Sequence, residues 1–225
     1  QKGVIRLAVV QYFQIDVRTF QHVEQILRQS DDSFLIRTRA LSGVLKQYRT
    51  PEIVLATGGT ARPRALGVPG EDLPHVHVRF SEPHRYHGRR LLIVGGRNSA
   101  CDAAVFAQRC GADVTLVCRG ESIHPRVKYW IRPELEAMVK SAQVRALFNS
   151  EVVRIEPEQV VLEVGVEKTL LKVPADDIFL AVGFESDGSL FKMVGAELDG
   201  DEQSVVHDPT TMRTSVPGVF VAGTA

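Results

Sequence analysis

The chain has 225 residues, enough for one sizeable core or two small ones. Hydrophobic residues make up 44% and charged residues 24%, with a net charge of zero, which excludes a disordered polymer and gives no bulk-charge handle for nucleic acid or an acidic membrane. No apolar run approaches the roughly 20 residues that cross a bilayer, and three cysteines without a C-x-x-C pair supply no disulfide framework, so a reducing, cytoplasmic setting is expected.

Residues 2–12 carry a partial helical period in Val4, Leu7, Ala8 and Tyr12. Residues 16–20, 22–27 and 33–38 read as three strands of an antiparallel meander, the last two joined by a turn at Gln29-Ser30-Asp31-Asp32. Residues 52–59 read as a buried strand running into the small residues Ala56-Thr57-Gly58. Residues 63–87 are punctuated by Pro63, Gly67, Pro69, Gly70, Pro74 and Pro83, and read as an extended connector between two domains.

A second domain is expected over residues 88–184. Leu91-Leu92-Ile93-Val94 reads as a buried strand, Gly95-Gly96 as a tight turn, and Arg97-Asn98-Ser99-Ala100 as the start of a helix that Asn98 or Ser99 can cap. Ala100, Ala103, Ala104 and Ala107 then recur at helical spacing, a stripe that lets a helix lie close on a sheet, and Gly111 ends it. Strand, glycine turn and close-packed helix are the parts of a dinucleotide-binding βαβ unit, where the helix N-terminus offers free N–H groups to a pyrophosphate. The usual G-x-G-x-x-G/A places a glycine where this chain has Arg97, so the motif alone also admits a plain helix–sheet turn. The arginine must point away or fold over the phosphates.

Residues 113–117 form the next strand. An acidic residue about 20 positions past the glycines would bind a free ribose 2′-hydroxyl, and a basic one suits a 2′-phosphate. Here Arg119 follows the strand, with Arg126 and Lys128 close behind, which favours NADPH; Glu121 keeps NADH open, and a solvated strand-end charge is the bland alternative. Pro133 suits the first turn of a helix with Glu134 and Glu136 near its positive end. Residues 144–173 return to strand patterns, with 152–155 and 160–164 as a hairpin. Residues 177–183 form a strand ending at Gly183, residues 184–215 are loop-rich, and residues 218–225 form a strand running into Ala222-Gly223.

Three features carry both a functional and a plain reading. Cys101, in the first turn of the glycine-loop helix, could be activated by the dipole, but a small buried filler is favoured. His75, His77, His84 and His87 lack accompanying ligands at metal spacing and read as solvated loop residues. Trp130 serves equally as a cofactor cover or as a hydrophobic staple before the Pro133 helix.

Several segments together resemble the YpdA family of bacillithiol disulfide reductases, within the thioredoxin-reductase-like flavoproteins. They are Leu66-Gly67-Val68-Pro69-Gly70-Glu71-Asp72-Leu73-Pro74, Glu82-Pro83-His84, Gly95 to Ala100, Lys128-Tyr129-Trp130-Ile131 and Pro209-Thr210-Thr211-Met212. In that family the turn is typically Gly-Gly-Lys-Asn-Ser-Ala, so Arg97 replaces one basic residue by another. The resemblance implies an α/β, Rossmann-like NADPH-binding domain at residues 88–184, inserted into an incomplete FAD-binding domain with an antiparallel β-meander. Residues 1–87 and 185–225 would supply the latter with its connector.

By the same resemblance, Gly95, Gly96, Arg97, Asn98, Ser99 and Ala100 would cradle the NADPH pyrophosphate, and Arg119 with Arg126 or Lys128 the 2′-phosphate. Ala56, Thr57, Gly58, Gly183 and Gly223 would stand at the other cofactor-facing strand ends. Hydride would pass from NADPH to FAD and on to a small-molecule disulfide, with a homo-oligomer compatible. Thr224 stands where the wider superfamily has an Asp, no C-x-x-C is present, and a first FAD glycine loop is not seen, so no catalytic residue is assigned. A fragment that binds NADP without turnover is the alternative to an active reductase, and flavin colour in the purified protein separates them. A flavin monooxygenase fits less well for want of an F-x-G-x-x-x-H motif.

Overall fold

The computed structural model describes residues 10–200 and 204–223. The helix expected over residues 2–12 falls largely outside them. Two compact units are present, one of Gln1–Arg62 with Glu185–Ala225 and one of Pro63–Phe184.

The first unit opens with β1 (Gln21–Arg28), β2 (Phe34–Ala40) and β3 (Leu45–Thr50), an antiparallel meander in that order. The β1–β2 turn lies where expected, with the Gln29 N–H on Ser33 O at 2.8 Å. The third strand does not. Residues 16–20 form no strand, because Phe20 takes a left-handed φ of +57° that breaks the run before β1. The meander is completed instead by β3, whose Leu45-Lys46-Gln47-Tyr48-Arg49-Thr50 is mostly exposed and shows no apolar alternation. Pairing to β2 from Phe34↔Thr50 to Arg39↔Leu45 holds it in place. Next come β4 (Ile53–Leu55) and, where the chain leaves the unit, the short β5 (Arg62–Pro63).

In the second unit β6 (Val76–His77) is followed by a 3-10 turn at Pro83–Tyr86, β7 (Arg90–Val94), α1 (Asn98–Arg109), β8 (Asp113–Val117), α2 (Arg132–Lys140) and β9 (Val144–Leu147). The antiparallel set β10 (Ser150–Ile155), β11 (Gln159–Val164) and β12 (Thr169–Pro174) comes next, then β13 (Asp177–Leu180). Five strands make one parallel sheet in the order β6-β13-β7-β8-β9. Period-two alternation divides β7 between two cores. Leu91 and Ile93 face α1 and α2, while Leu92 and Val94 face the β10–β12 meander beside Val160, Leu162 and Val173. Each such side chain, fully buried, contributes about 1.5–3 kcal/mol. The alanine stripe does what its spacing predicts: Ala100, Ala103, Ala104 and Ala107 are all buried against the sheet. α1 ends in a Schellman pair, with Gly111 N–H on Gln108 O and Ala112 N–H on Ala107 O.

Residues 63–87 correct the reading of an extended connector. They belong to the second unit, and β6 is an edge strand of its sheet. Glu71 accepts the N–H groups of Leu66 and Gly67 at 2.7 and 2.8 Å, and Ile155 N–H donates to Pro69 O. Gly70 presses so close to β10 that a Cβ would meet Ile155 O. His77 is not solvated either. Its Nε2 lies 3.0 Å from the buried carboxylate of Asp177, which also accepts from Arg89 Nε at 2.6 Å, and the Nε2 of His75 is buried too.

The chain returns through β14 (Phe184–Glu185), which pairs with β5, then α3 (Ser189–Val194), β15 (Leu198–Asp199), β16 (Ser204–Val205) and β17 (Val219–Val221). β17 lies parallel to β4, and Phe191 of α3 joins Ile26, Phe34, Ile53, Leu55 and Val219 in the first unit's core. The six residues of α3 are too few to show a period in sequence.

Candidate functional site

In the parallel sheet β7 lies between β8 and β13. From β7 the chain crosses through α1 to β8 on one side, whereas β13 pairs with β7 on the other. Ligands of open α/β sheets settle outside the carboxyl edge of the strands. Gly95-Gly96 and Ala181-Val182-Gly183 occupy that edge.

Gly95 sits at φ +141°, where a Cβ would stand 2.6 Å from Ala181 O and 3.2 Å from Ala100 Cβ. Only glycine lets β13 and α1 close on the turn at this point. Its N–H donates to Val117 O at 2.9 Å, and its carbonyl accepts from Cys118 Sγ at 3.3 Å. A Cβ on Gly96 would meet Cys118 Sγ at 3.3 Å, and Gly96 O accepts the N–H of His124 at 3.2 Å. Burial pushes the thiol of Cys118 up to about 11 and that of Cys101 up to about 12, so both stay protonated at neutral pH. Cys101 is thus the buried filler and not an activated nucleophile.

Arg97 is the N-cap of α1, with extended backbone at φ −107° and ψ −175°. Any residue adopts that conformation, so arginine stands in the glycine position without strain, its side chain exposed. The expected cap is corrected: neither Asn98 nor Ser99 fills the role, and no side chain caps the helix start. Asn98 Oδ1 is engaged elsewhere, accepting the N–H of Lys128 at 2.9 Å. The first turn of α1 from Asn98 through Ala100 is left to present backbone N–H groups at the positive end of the helix, with Ser99 exposed and Ala100 buried.

The stretch after β8 folds back over this turn. Ile123, Val127 and Ile131 anchor it in the core, His124 N–H holds Gly96 O, and Lys128 N–H holds Asn98. Arg119, Arg126 and Lys128 are thereby carried, exposed, on one loop attached to the glycine turn. Lys128 Nζ also lies 3.5 Å from Asp102 of α1. Trp130 is 59% exposed and stands edge-on to Tyr129, so it does not staple α2. Gly183 stands at the end of β13 with its carbonyl on Arg64 N–H at 3.1 Å.

In the first unit, Ala56-Thr57-Gly58 and Ala222-Gly223 follow the parallel neighbours β4 and β17, joined by Ala222 N–H on Leu55 O at 3.0 Å. Gly58 and Gly223 take φ +74° and +82°, and the space beside Gly223 is open. Backbone there suits close approach of a ligand. Sequence reading missed Cys118, His124 and Asp102, whose parts are hydrogen bonds between segments distant in the chain. Among the described residues no group of three or more side chains is arranged to hold a metal, and no helix is long and apolar enough to cross a membrane.

The model of the pyridine nucleotide-disulphide oxidoreductase family matches residues 6–223. Bacilliredoxin reductase Bdr of Bacillus subtilis is 36% identical over 196 residues, covering 87% of this chain and 59% of that protein. A ferredoxin–NADP reductase of Ignicoccus hospitalis is 31% identical over 187 residues, covering 79% of this chain and 57% of its own length. Among solved structures, the bacillithiol disulfide reductase Bdr (YpdA) of Bacillus cereus superposes with a TM-score of 0.91 at 30% identity, over 99% of this chain and 68% of that one. The chain spans under two thirds of the length of these curated relatives. It belongs to the pyridine nucleotide-disulphide oxidoreductase family, where it is similar to the Bdr (YpdA) reductases.

Proposed function

We propose that this chain is the NADPH-binding part of a flavin-dependent disulfide reductase. The observation that carries the reading is the glycine turn, closed to side chains at Gly95 and followed by an uncapped helix start with three basic residues on the adjoining loop. A cradle with backbone N–H groups and no side chain in the way fits a pyrophosphate. Gly95 through Ala100 would hold it, and Arg119 with Arg126 or Lys128 would neutralise a ribose 2′-phosphate. Arg97, exposed at the N-cap, is placed to add a charge-assisted donor.

Ala56-Thr57-Gly58 and Ala222-Gly223 would give FAD its backbone approach in the first unit. A bound FAD would supply the relay of two electrons from NADPH to a low-molecular-weight disulfide, the class for which the Bacillus cereus relative is named. The chain's own part is to bind and orient. The stretch after β13 closes on the β7 turn through Ala181 O, and Gly183 beyond it is exposed. The buried thiols carry none of the exchange, because both stay protonated under the turn.

Arg119→Glu tests the cofactor assignment. It should weaken NADPH binding by about 10- to 100-fold and leave NADH nearly unchanged, measured by calorimetry. Equal losses for both nucleotides would remove the 2′-phosphate role from Arg119.

A further inference from the structure

Tyr129 and Trp130 stand out in the second unit as large aromatic side chains exposed to solvent, at 82% and 59%. Their neighbours Val127 and Ile131 are buried, so the chain is pushed outward between two anchors. The outward turn is held firmly. Lys128 N–H is fixed on Asn98 Oδ1 at the start of α1, and Lys128 O accepts both Ile131 N–H at 3.0 Å and Arg132 N–H at 3.1 Å. The two rings meet edge to face, with centroids 4.8 Å apart and planes at 89°, which makes a corner of two perpendicular walls. Lys128 Nζ lies 5.6 Å from the Trp130 ring centroid, and Arg119 and Arg126 belong to the same loop. A rigid aromatic corner among cations, tied to a pyrophosphate cradle, suits a flat ring attached to a phosphorylated ribose.

We infer that Tyr129 and Trp130 form the stacking shelf for the adenine ring of a 2′-phosphorylated dinucleotide. The inference rests on the NADPH reading of the glycine turn. It adds a specificity element that does not depend on charge: Arg119 reads the phosphate, and the shelf reads the base. Adenine is favoured over nicotinamide because the cations sit on the loop that carries the shelf, and the 2′-phosphate belongs to the adenosine half. The backbone of the turn is already fixed by its hydrogen bonds, so binding has only the two side chains left to order.

Trp130 is the sole tryptophan of the chain and reports on its own site. Titrating adenosine 2′,5′-bisphosphate into the 225-residue protein should quench its emission with saturation. Calorimetry should show Trp130→Ala weakening the bisphosphate about 5- to 150-fold, and Trp130→Phe staying within about threefold of the parent. Tyr129→Ala is a second variant at a still more exposed position, and should weaken binding in the same direction, with thermal melts confirming that each variant folds. Saturable binding with no quenching, unaltered by Trp130→Ala, would overturn the shelf and leave the NADPH reading standing. Quenching by reduced nicotinamide mononucleotide but not by the bisphosphate would place the other ring there and overturn it as well. No binding of bisphosphate, NADPH or NADH by the parent would overturn the NADPH reading itself.

Discussion

Cys118 touches the glycine turn twice, donating its thiol to Gly95 O and filling the space that a Gly96 side chain would need. It can do so only as a neutral thiol, and burial keeps it one. Cys101 is held the same way, while Cys110 at the end of α1 is partly accessible. A thiol reagent added to the native protein should therefore label Cys110 alone, and all three cysteines after denaturation. Rapid labelling of Cys101 or Cys118 in the native state, read by peptide mass, would contradict the packing under the turn. Arg97 shows how one residue can mislead a motif. Its extended backbone accepts any side chain, so the missing second glycine is no defect in the turn.

Among the elements, the β7–turn–α1 unit depends on one backbone position. Gly95→Ala would force a Cβ toward Ala181 O in a conformation that L-residues rarely adopt, and should cost about 1–3 kcal/mol in urea denaturation together with loss of dinucleotide binding. Unchanged stability and affinity would show that the turn can relax. This unit was legible in sequence because each of its parts is local: four apolar residues, two glycines and an alanine stripe. The β10–β11 hairpin was legible for the same reason. β3 and β6 were not. Both are edge strands: β3 leaves its side chains largely in water and is held by its pairing to neighbouring β2, while β6 is only two residues long and is paired by β13 far along the chain, so neither shows a pattern of its own. The tie from Asn98 to Lys128 was hidden for a related reason. An asparagine at a helix start reads as a cap until the structure shows its oxygen accepting from a backbone N–H thirty residues away.

Over the whole molecule, charge is balanced and the informative ion pairs lie at the foot of the parallel sheet. Asp176 accepts the Arg90 backbone N–H at 2.8 Å and pairs with the Arg90 guanidinium, which lowers its carboxyl from 3.8 to about 2. The folded value is the lower one, so the stabilisation is complete above the unfolded pKa and is lost as the pH falls from about 4 toward about 2. Asp176→Asn should melt below the parent at neutral pH, and the gap should close as the pH is lowered through that window. A gap constant across it would assign the difference to packing. Both the match of residues 6–223 to one family and the division into two units belong to this scale, and no single motif contains them.

The parallel pairing of β4 with β17 has a consequence for the order of synthesis. A ribosome releases residues 63–184 as one uninterrupted stretch, and every strand of the five-stranded sheet lies within it. β4 emerges earlier, yet its partner Val219–Val221 appears only after that whole stretch has been made. Vectorial folding would thus complete the inserted unit first, while Ile53–Leu55 waits with unpaired backbone and apolar side chains. The interval in which that strand edge stands open is set by the translation time of the insert, and it is when a growing chain of this topology has most need of a chaperone.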